Sequence, residues 1–587
     1  MTRLPKSRRA PRLAELDYMP AEQLREHLAA RRVPLTAGLI NETTEKYKGS
    51  EFTVREHRLP VVEDRGRTIC IGMQEIYAPE DSGRHVPMLW IPGGFGISRR
   101  AQMLHRTSRV GGRLFAVDWI GRGTSDEMDH TTPAPRQGAV YYGDLKWDDS
   151  YQFYNLMGFS QVIEHIVDLP GLLLDRLTCN GTSWGSFYSF LLAAIDPRIR
   201  FVVSSFGTGY LDLDSRSIWE SAFDSMTPEQ TAAWLRAFDP GRRAREIKAP
   251  VFFETAANDK FFSVPAVMRT LAGLRGERHL LVLENQDHFL KPYSHQNLDI
   301  AASVVRTGSF PDLPEISDVR WLPSGPVVEA DIVTRDEEPA VFIVFAEGDY
   351  CGSFAKSWRR IPAEQAHANG TWQARIPFEI GDRPCWWYVL VENRGFAVSS
   401  LVQEDRLPPG GSGPRLAYRI GSEPIDRQPV GDRIQPKVEV DDNPGGPFLR
   451  LIYDGTRAEK CVVYVVDGDA AAAARVNAIT IECRLDAAAL ASNPHIVLVS
   501  DYHAHDEQSY GVQLNENLLN AAEWQTLWLP LNLFGRLVTR NEPFACPKID
   551  ELRIERLCGV GFFLNCKAPL GNIEFRGFSL HPPSHQC

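Results

Sequence analysis

Apolar residues are distributed along the chain in two regimes. Between residues 50 and 310, short apolar runs at 67–77, 86–91, 113–117, 177–180, 200–204, 251–255 and 279–283 are separated by turns and flanked by helical segments, among them 150–167, 186–195 and 297–307. Strands that alternate with helices predict a mostly parallel sheet. Ahead of this region, residues 20–32 place a proline at a first turn, strong helix formers behind it and apolar positions four apart, the pattern of a leading helix. Beyond residue 310 the alternation stops. Residues 315–402 give short strands with Gly, Pro and Asn turns and Trp358, Trp372, Trp386 and Trp387 at strand edges, which predicts a small β-sandwich. Residues 405–433, with Leu-Pro-Pro-Gly-Gly-Ser-Gly-Pro at their start, have little periodicity and read as a linker. The remainder offers nine strand candidates at 448–453, 461–466, 478–485, 495–500, 511–514, 524–531, 551–556, 560–565 and 572–580, the count and spacing of a jelly-roll sandwich.

The expected order is therefore a helical extension over 1–50, an α/β unit over 51–310, an Ig-like sandwich over 311–404, a linker over 405–433 and a jelly roll over 434–587. A chain of 587 residues exceeds what one core supports, in keeping with several domains. Its 43% apolar and 24% charged residues are those of a globular chain, and the net charge of −11 has no clustered basic face to suit a phosphate backbone, which argues against nucleic acid as a partner. The basic N-terminus leads into no apolar run of signal-peptide length, and no stretch is long enough to span a bilayer, so a cytoplasmic protein is expected. The ten cysteines have neither zinc-site spacing nor scaffold density and read as reduced thiols.

The chemistry concentrates at Cys-Asn-Gly-Thr-Ser-Trp-Gly-Ser, residues 179–186, a Gly-x-Ser-x-Gly between a short apolar strand and a helix. A nucleophile elbow forces its serine into a strained turn, so Gly181 and Gly185 would flank Ser183 to avoid colliding with the neighbouring strand and helix. The helix that follows turns its positive end toward any oxyanion formed there. A Ser/Gly turn without catalytic role is the plain alternative. Partners in the order acid then histidine should lie just past late strands: 251–255 runs into Asp259 and 279–283 runs into His288. Ser183 would attack, His288 would take its proton, and Asp259 would hold the imidazole's tautomer. A loop carboxylate and a surface histidine are the plain alternatives, and Asp287 and His295 the nearest substitutes. Oxyanion donors are expected from Trp184 and from the loop after strand 86–91, at Gly94 first and Phe95 second.

Residues 91–96 (Ile-Pro-Gly-Gly-Phe-Gly), 115–125 (Phe-Ala-Val-Asp-Trp-Ile-Gly-Arg-Gly-Thr-Ser), the elbow, the segment from Asn258 to Pro265 and Asp287-His288 resemble the α/β-hydrolase superfamily. Within it they are most like the acetyl xylan esterase and dienelactone hydrolase group and the PhoPQ-activated pathogenicity-related proteins. The resemblance covers roughly residues 60–300 and implies ester hydrolysis by these three residues, with no metal and no other cofactor. Pro92-Gly93 replaces the usual His-Gly, and Ser186 stands where many relatives carry a second glycine. The span 207–245 reads either as a helical cap walled by Trp219, Phe223, Trp234 and Phe238 or as an amphipathic helix pair packed on the sheet. The final unit is similar to galactose-binding-like jelly rolls through residues 523–531 and 571–578, which would suit a sugar or serve only for packing. His503 and His505 are two apart, a weak metal-ligand spacing that a polar strand end explains as well.

Three functions follow. The first is a serine hydrolase cleaving a carboxylic ester of an acylated carbohydrate or glycoside, the second an acyltransferase onto a surface-polysaccharide sugar, and the third a non-catalytic glycan-binding or assembly protein on a hydrolase scaffold. The expected partner is a small-molecule or saccharide ester, with self-association left open.

Overall fold

The computed structural model describes residues 18–36, 38–79, 84–94, 96–126, 147–212, 223, 226–257, 259, 261–284, 288, 296–322, 327–335, 339–347, 358–367, 370–376, 384–393 and 395–406, and in the final unit 449–453, 459–465, 478–487, 494–500, 508–513, 523–531, 535–537, 557–564 and 571–581. Its first nine strands are β1 (Leu39–Tyr47), β2 (Ser50–Asp64), β3 (Arg67–Tyr77), β4 (Pro87–Ile91), β5 (Arg113–Val117), β6 (Thr178–Thr182), β7 (Phe201–Ser205), β8 (Val251–Ala256) and β9 (Arg278–Leu283). They lie side by side in the order β1-β2-β3-β5-β4-β6-β7-β8-β9. From β5 to β9 all pairings are parallel, whereas β1, β2 and β3 join antiparallel. Every residue of β4, β5, β7 and β8 is buried, so these strands read as unbroken apolar runs rather than alternating ones.

Among the described residues the helices are α1 (Ala21–Arg31), α2 (Arg100–Val110), α3 (Tyr151–Asp168), α4 (Trp184–Ile195), α5 (Pro228–Phe238), α6 (Val264–Ala272) and α7 (Gln296–Thr307). Their starts are chemically specified. The Ser150 hydroxyl accepts from Phe153 N at 3.3 Å to cap α3, and Thr227 with Gln230 forms a reciprocal capping box around Pro228 at α5. Helices α2 and α7 pack together, as do α3 and α4, and the sheet with its flanking helices is the α/β-hydrolase fold.

The described part of residues 1–50 holds a strand as well as a helix. Helix α1 forms where the pattern places it, but β1 pairs with β2 across Lys48 (φ 50°) and Gly49 (φ 85°). Two consecutive left-handed residues make the primed turn whose twist matches a hairpin. Arg65 (φ 49°) and Gly66 (φ 78°) do the same between β2 and β3. Within 207–245, Trp234 and Phe238 are buried in the main core, with the Trp234 ring 6.0 Å from Phe187 and 5.6 Å from Phe223. These aromatic residues pack rather than wall an open cap, and Trp219 lies outside the described residues.

The sheet continues past residue 310. Strands β10 (Glu315–Leu322), β11 (Val327–Val333), β14 (Glu364–His367) and β15 (Thr371–Arg375) form one small sheet. Strands β12 (Ala340–Glu347), β13 (Arg359–Pro362), β16 (Pro384–Asn393), β17 (Phe396–Ser399) and β18 (Gln403–Arg406) extend the large one, with Ser399 of β17 paired antiparallel to Leu280 of β9. Trp387, Val389 and Val391 of β16 enter the core between the two sheets, while Trp386, Tyr388 and Leu390 enter the hydrolase core. Burial on both faces accounts for the continuous run Cys-Trp-Trp-Tyr-Val-Leu-Val, and it places Trp386 and Trp387 in mid-sheet rather than at an edge.

The final unit holds two sheets. One joins β19 (Leu449–Tyr453), β27 (Gly571–His581), β21 (Ala478–Leu485) and β24 (Gln525–Pro530). The other joins β20 (Glu459–Val465), β26 (Leu557–Leu564), β22 (Pro494–Ser500), β23 (Gln508–Gln513) and β25 (Gly535–Leu537), a short strand the pattern does not predict. The candidate at 551–556, the linker from 407 onward and His503 and His505 lie outside the described residues. Among the described residues, no helix is long and apolar enough to cross a membrane.

Candidate active site

Strand β6 ends at Thr182 and α4 begins at Trp184, leaving Ser183 alone in the turn at φ 59° and ψ −126°. A non-glycine residue there is strained, and its surroundings over-determine it. Ser183 N donates to Ser205 O at 2.8 Å, and its carbonyl accepts from Phe187 N at 3.0 Å. A Cβ on Gly181 would come 2.2 Å from the Gly185 carbonyl carbon, and one on Gly185 would come 2.0 Å from Ile91 O. Both positions therefore exclude any side chain.

Strand β8 leads to Asp259, which is fully buried, and the stretch after β9 carries His288, also buried. His288 Nε2 lies 2.7 Å from Ser183 Oγ, and its Nδ1 lies 3.0 and 2.9 Å from the two Asp259 oxygens. Asp259 Oδ1 also accepts from Phe261 N at 2.7 Å and Phe262 N at 2.9 Å, so the carboxylate is fixed by its own following turn. The structure thus brings together Ser183, Asp259 and His288, from positions 105 and 29 residues apart. Asp287 and His295, the substitutes, lie outside the described residues.

Three aromatic residues that the sequence does not single out surround the imidazole. Phe262 stacks on it at 5.8 Å, Phe261 lies 4.5 Å away and Phe206 meets it edge-on at 5.8 Å. The adjacency of Phe261 and Phe262 to Asp259 was a usable signal; Phe206, at φ 63° after β7, had none in the sequence. The Trp184 ring packs on Phe187 at 4.8 Å and Phe262 at 5.9 Å, which joins the elbow to the histidine's aromatic shell.

The loop after β4 closes over the elbow. A Cβ on Gly93 would stand 3.3 Å from Ser183 Cβ, and one on Gly94 would stand 3.4 Å from the Trp184 ring. Gly96 N donates back to Gly93 O at 2.8 Å, tightening this turn, whereas Phe95 lies outside the described residues. Asp118 braces the adjoining loop, accepting from Ser98 N at 2.7 Å, Thr124 N at 2.9 Å and Thr124 Oγ1 at 3.0 Å. Its burial nonetheless raises its carboxyl above the usual range. Ser186, the departure noted in the motif, donates to Gly207 O at 2.9 Å and is satisfied in the core.

Among the described residues, one other group gathers potential metal ligands: His57, Glu75 and His165 offer atoms within 4.8 Å of one another. Arg113 Nε donates to Glu75 Oε1 at 2.6 Å, and Arg55 Nη1 lies 3.5 Å from the same oxygen. With two guanidinium groups already on its carboxylate, this cluster is an ion-pair network that a divalent cation would have to displace.

No protein-family model and no curated protein matches the chain. Among solved structures, the chain is similar to acetyl xylan esterase 1 from a Thermoanaerobacterium species, with 19% identity, a TM-score of 0.42, and coverage of 50% of this chain and 99% of that one. It is also similar to an acetyl xylan esterase from Paenibacillus sp. R4, at 15% identity, TM-score 0.40, and coverage of 50% and 100%. An S-formylglutathione hydrolase from Agrobacterium tumefaciens aligns at 17% identity and TM-score 0.34 over 46% of this chain and 98% of that one.

Proposed function

We propose that the protein is a serine hydrolase that cleaves a carboxylic ester, with Ser183, His288 and Asp259 as its catalytic triad and residues 51–310 as the catalytic unit. The observation that carries this reading is the 2.7 Å approach of His288 Nε2 to Ser183 Oγ while Nδ1 is held by Asp259. Ser183 Oγ attacks the ester carbonyl as its proton passes to His288 Nε2, and the carbonyl electrons move to oxygen. In this reading the backbone N–H groups of Trp184, at the start of α4, and of Gly94, in the loop after β4, stabilise that oxyanion. Collapse breaks the bond to the alcohol, which leaves with the proton from His288, and an acyl group remains on Ser183. Water then repeats the sequence, giving up its proton to His288, and releases the acid.

The alcohol is read as a sugar or glycoside. On β24 the Trp528 side chain is 56% exposed, in a unit separate from the catalytic sheet, and an exposed aromatic plane suits the apolar face of a pyranose. In this reading the jelly-roll unit, 434–587, brings the substrate to the catalytic unit. Purified protein is expected to hydrolyse a short-chain aryl acetate, and Ser183→Ala to abolish it; retention of activity in that variant refutes the assignment. Adding saccharides to the same assay sorts the product chemistry: release of free acid supports hydrolysis, whereas acyl groups appearing on the sugar would replace it with transfer.

A further inference from the structure

The two ends of the stretch that carries His288 are both held from outside the hydrolase unit. Glu284, directly after β9, receives a hydrogen bond and ion pair from Arg360 Nε of β13, and Arg360 Nη1 also donates to Glu392 Oε1 of β16 at 2.7 Å. Burial alone would lower the Arg360 guanidinium's pKa; its two carboxylate partners outweigh this and raise it. Gln296, the first residue of α7, makes two bonds to one β17 residue. Its Nε2 donates to Ala397 O at 2.6 Å, and its Oε1 accepts from Ala397 N at 2.9 Å. Just before the first anchor β9 itself is locked, with Val282 N donating to Ser399 Oγ at 3.0 Å and Tyr388 Oη donating to Val282 O at 3.3 Å. The next residue, Asn297, donates to Ser205 Oγ, and the Ser205 carbonyl receives Ser183 N.

We propose that the β-sandwich after the hydrolase unit is a positioning element for the active site, in which Arg360 and the Ala397 main chain fix the two ends of the His288 stretch. A packing or substrate-binding module would need no specific polar contact on either side of that histidine. Here Arg360 and Ala397 belong to strands that extend the catalytic sheet beyond its last hydrolase strand, so the frame of the imidazole is completed by residues more than seventy positions downstream. None of these residues touches the reacting atoms. They act through the place of His288, and an imidazole displaced by a fraction of an ångström loses its line to the serine hydroxyl. This inference rests on the triad reading above.

The test compares full-length wild type, Arg360→Met, Gln296→Leu, the milder Arg360→Lys and Gln296→Asn, and Arg320→Met. The last breaks an ion-pair group on the opposite sheet of the same sandwich, where Arg320 meets Asp318, Glu329 and Asp331. Rates of Ser183 labelling by a fluorophosphonate and kcat for an aryl acetate are measured per folded molecule, well below each variant's melting temperature. Arg360→Met and Gln296→Leu are expected to slow both by about 10- to 100-fold with little change in KM, and to shift the apparent pKa of the pH–rate profile. The conservative pair should lie between them and wild type. Wild-type rates and an unchanged pH profile in these variants, or equal slowing in Arg320→Met, would overturn the inference. If Arg360→Met or Gln296→Leu does not fold, the milder pair decides by the same readouts. Should wild type itself fail to label at Ser183, the triad reading fails instead, so the two outcomes are distinguishable.

Discussion

Two buried histidine–carboxylate pairs lie in the same sheet. His288 sits against Asp259 where β8 and β9 end, and His57 sits against Glu75 on the neighbouring strands β2 and β3, with His57 Nε2 donating to Glu75 Oε2 at 2.8 Å. Both carboxylates are fully buried. What differs is the third partner. Beyond His288 lies a strained serine with a helix N-terminus behind it. Beyond Glu75 lies Arg113, stacked 4.7 Å over Tyr77, and beside His57 is the His165 ring at 5.1 Å. A histidine and a carboxylate in contact are therefore no sign of catalysis by themselves; in the proposed reading the serine hydroxyl in line makes one pair chemical, whereas a guanidinium braces the other.

The largest expected separation between the two sites comes from removing the histidines. His288→Gln should lower kcat/KM for an aryl acetate by about 10⁴- to 10⁶-fold without unfolding the protein. His57→Gln should leave activity per folded molecule within a few-fold of wild type and lower the melting temperature instead. Comparable activity losses from both would erase the distinction.

Next are the carboxylates. Asp259→Asn permits the wrong imidazole tautomer and should cost about 10⁴-fold in kcat. Glu75→Gln strands a buried guanidinium and should cost about 3–5 kcal/mol of stability in denaturant titrations, with the folded fraction still active. A stable Glu75→Gln protein would show that the network is solvated.

The smallest effect concerns pH. Burial first, then the nearby charges of His57 and Arg113, push the His165 imidazole down to about 4 from 6.5. The unfolded chain then takes up this proton near 6.5 and the folded chain only near 4, so stability should decline as pH falls through that window. Denaturant melts across it should show a slope that His165→Gln flattens, while the pH–rate profile in kcat keeps its shape.

Parts of this architecture were legible in the residues. The bounds of β3 and β5, the elbow and the meeting of Asp259 and His288 with Ser183 follow from apolar runs that end in Gly-x-Ser-x-Gly, Asp259 and His288, because local strain and strand-end placement leave a mark in sequence. The hairpin β1-β2 was hidden because its turn is Lys48-Gly49, whose left-handed first residue carries none of the Asn or Asp that usually announces it. The joining of the sandwich to the catalytic sheet was hidden for another reason. Burial of β16 on both faces erases the alternation that separates an inner face from an outer one, and the contacts of Arg360 with Glu284 and Gln296 with Ala397 span positions that no periodicity relates. His57 and Glu75 meet only once the β2-β3 register is set.

The central claim is that Ser183 carries the acyl group. Wild type and His288→Gln are mixed with an aryl acetate, quenched in acid within milliseconds and digested, and the peptide containing residue 183 is read by mass spectrometry. An acetyl group on Ser183 in wild type, strongly reduced in His288→Gln, is the predicted result. Ester turnover by wild type with residue 183 unmodified in the pre-steady-state burst would contradict it.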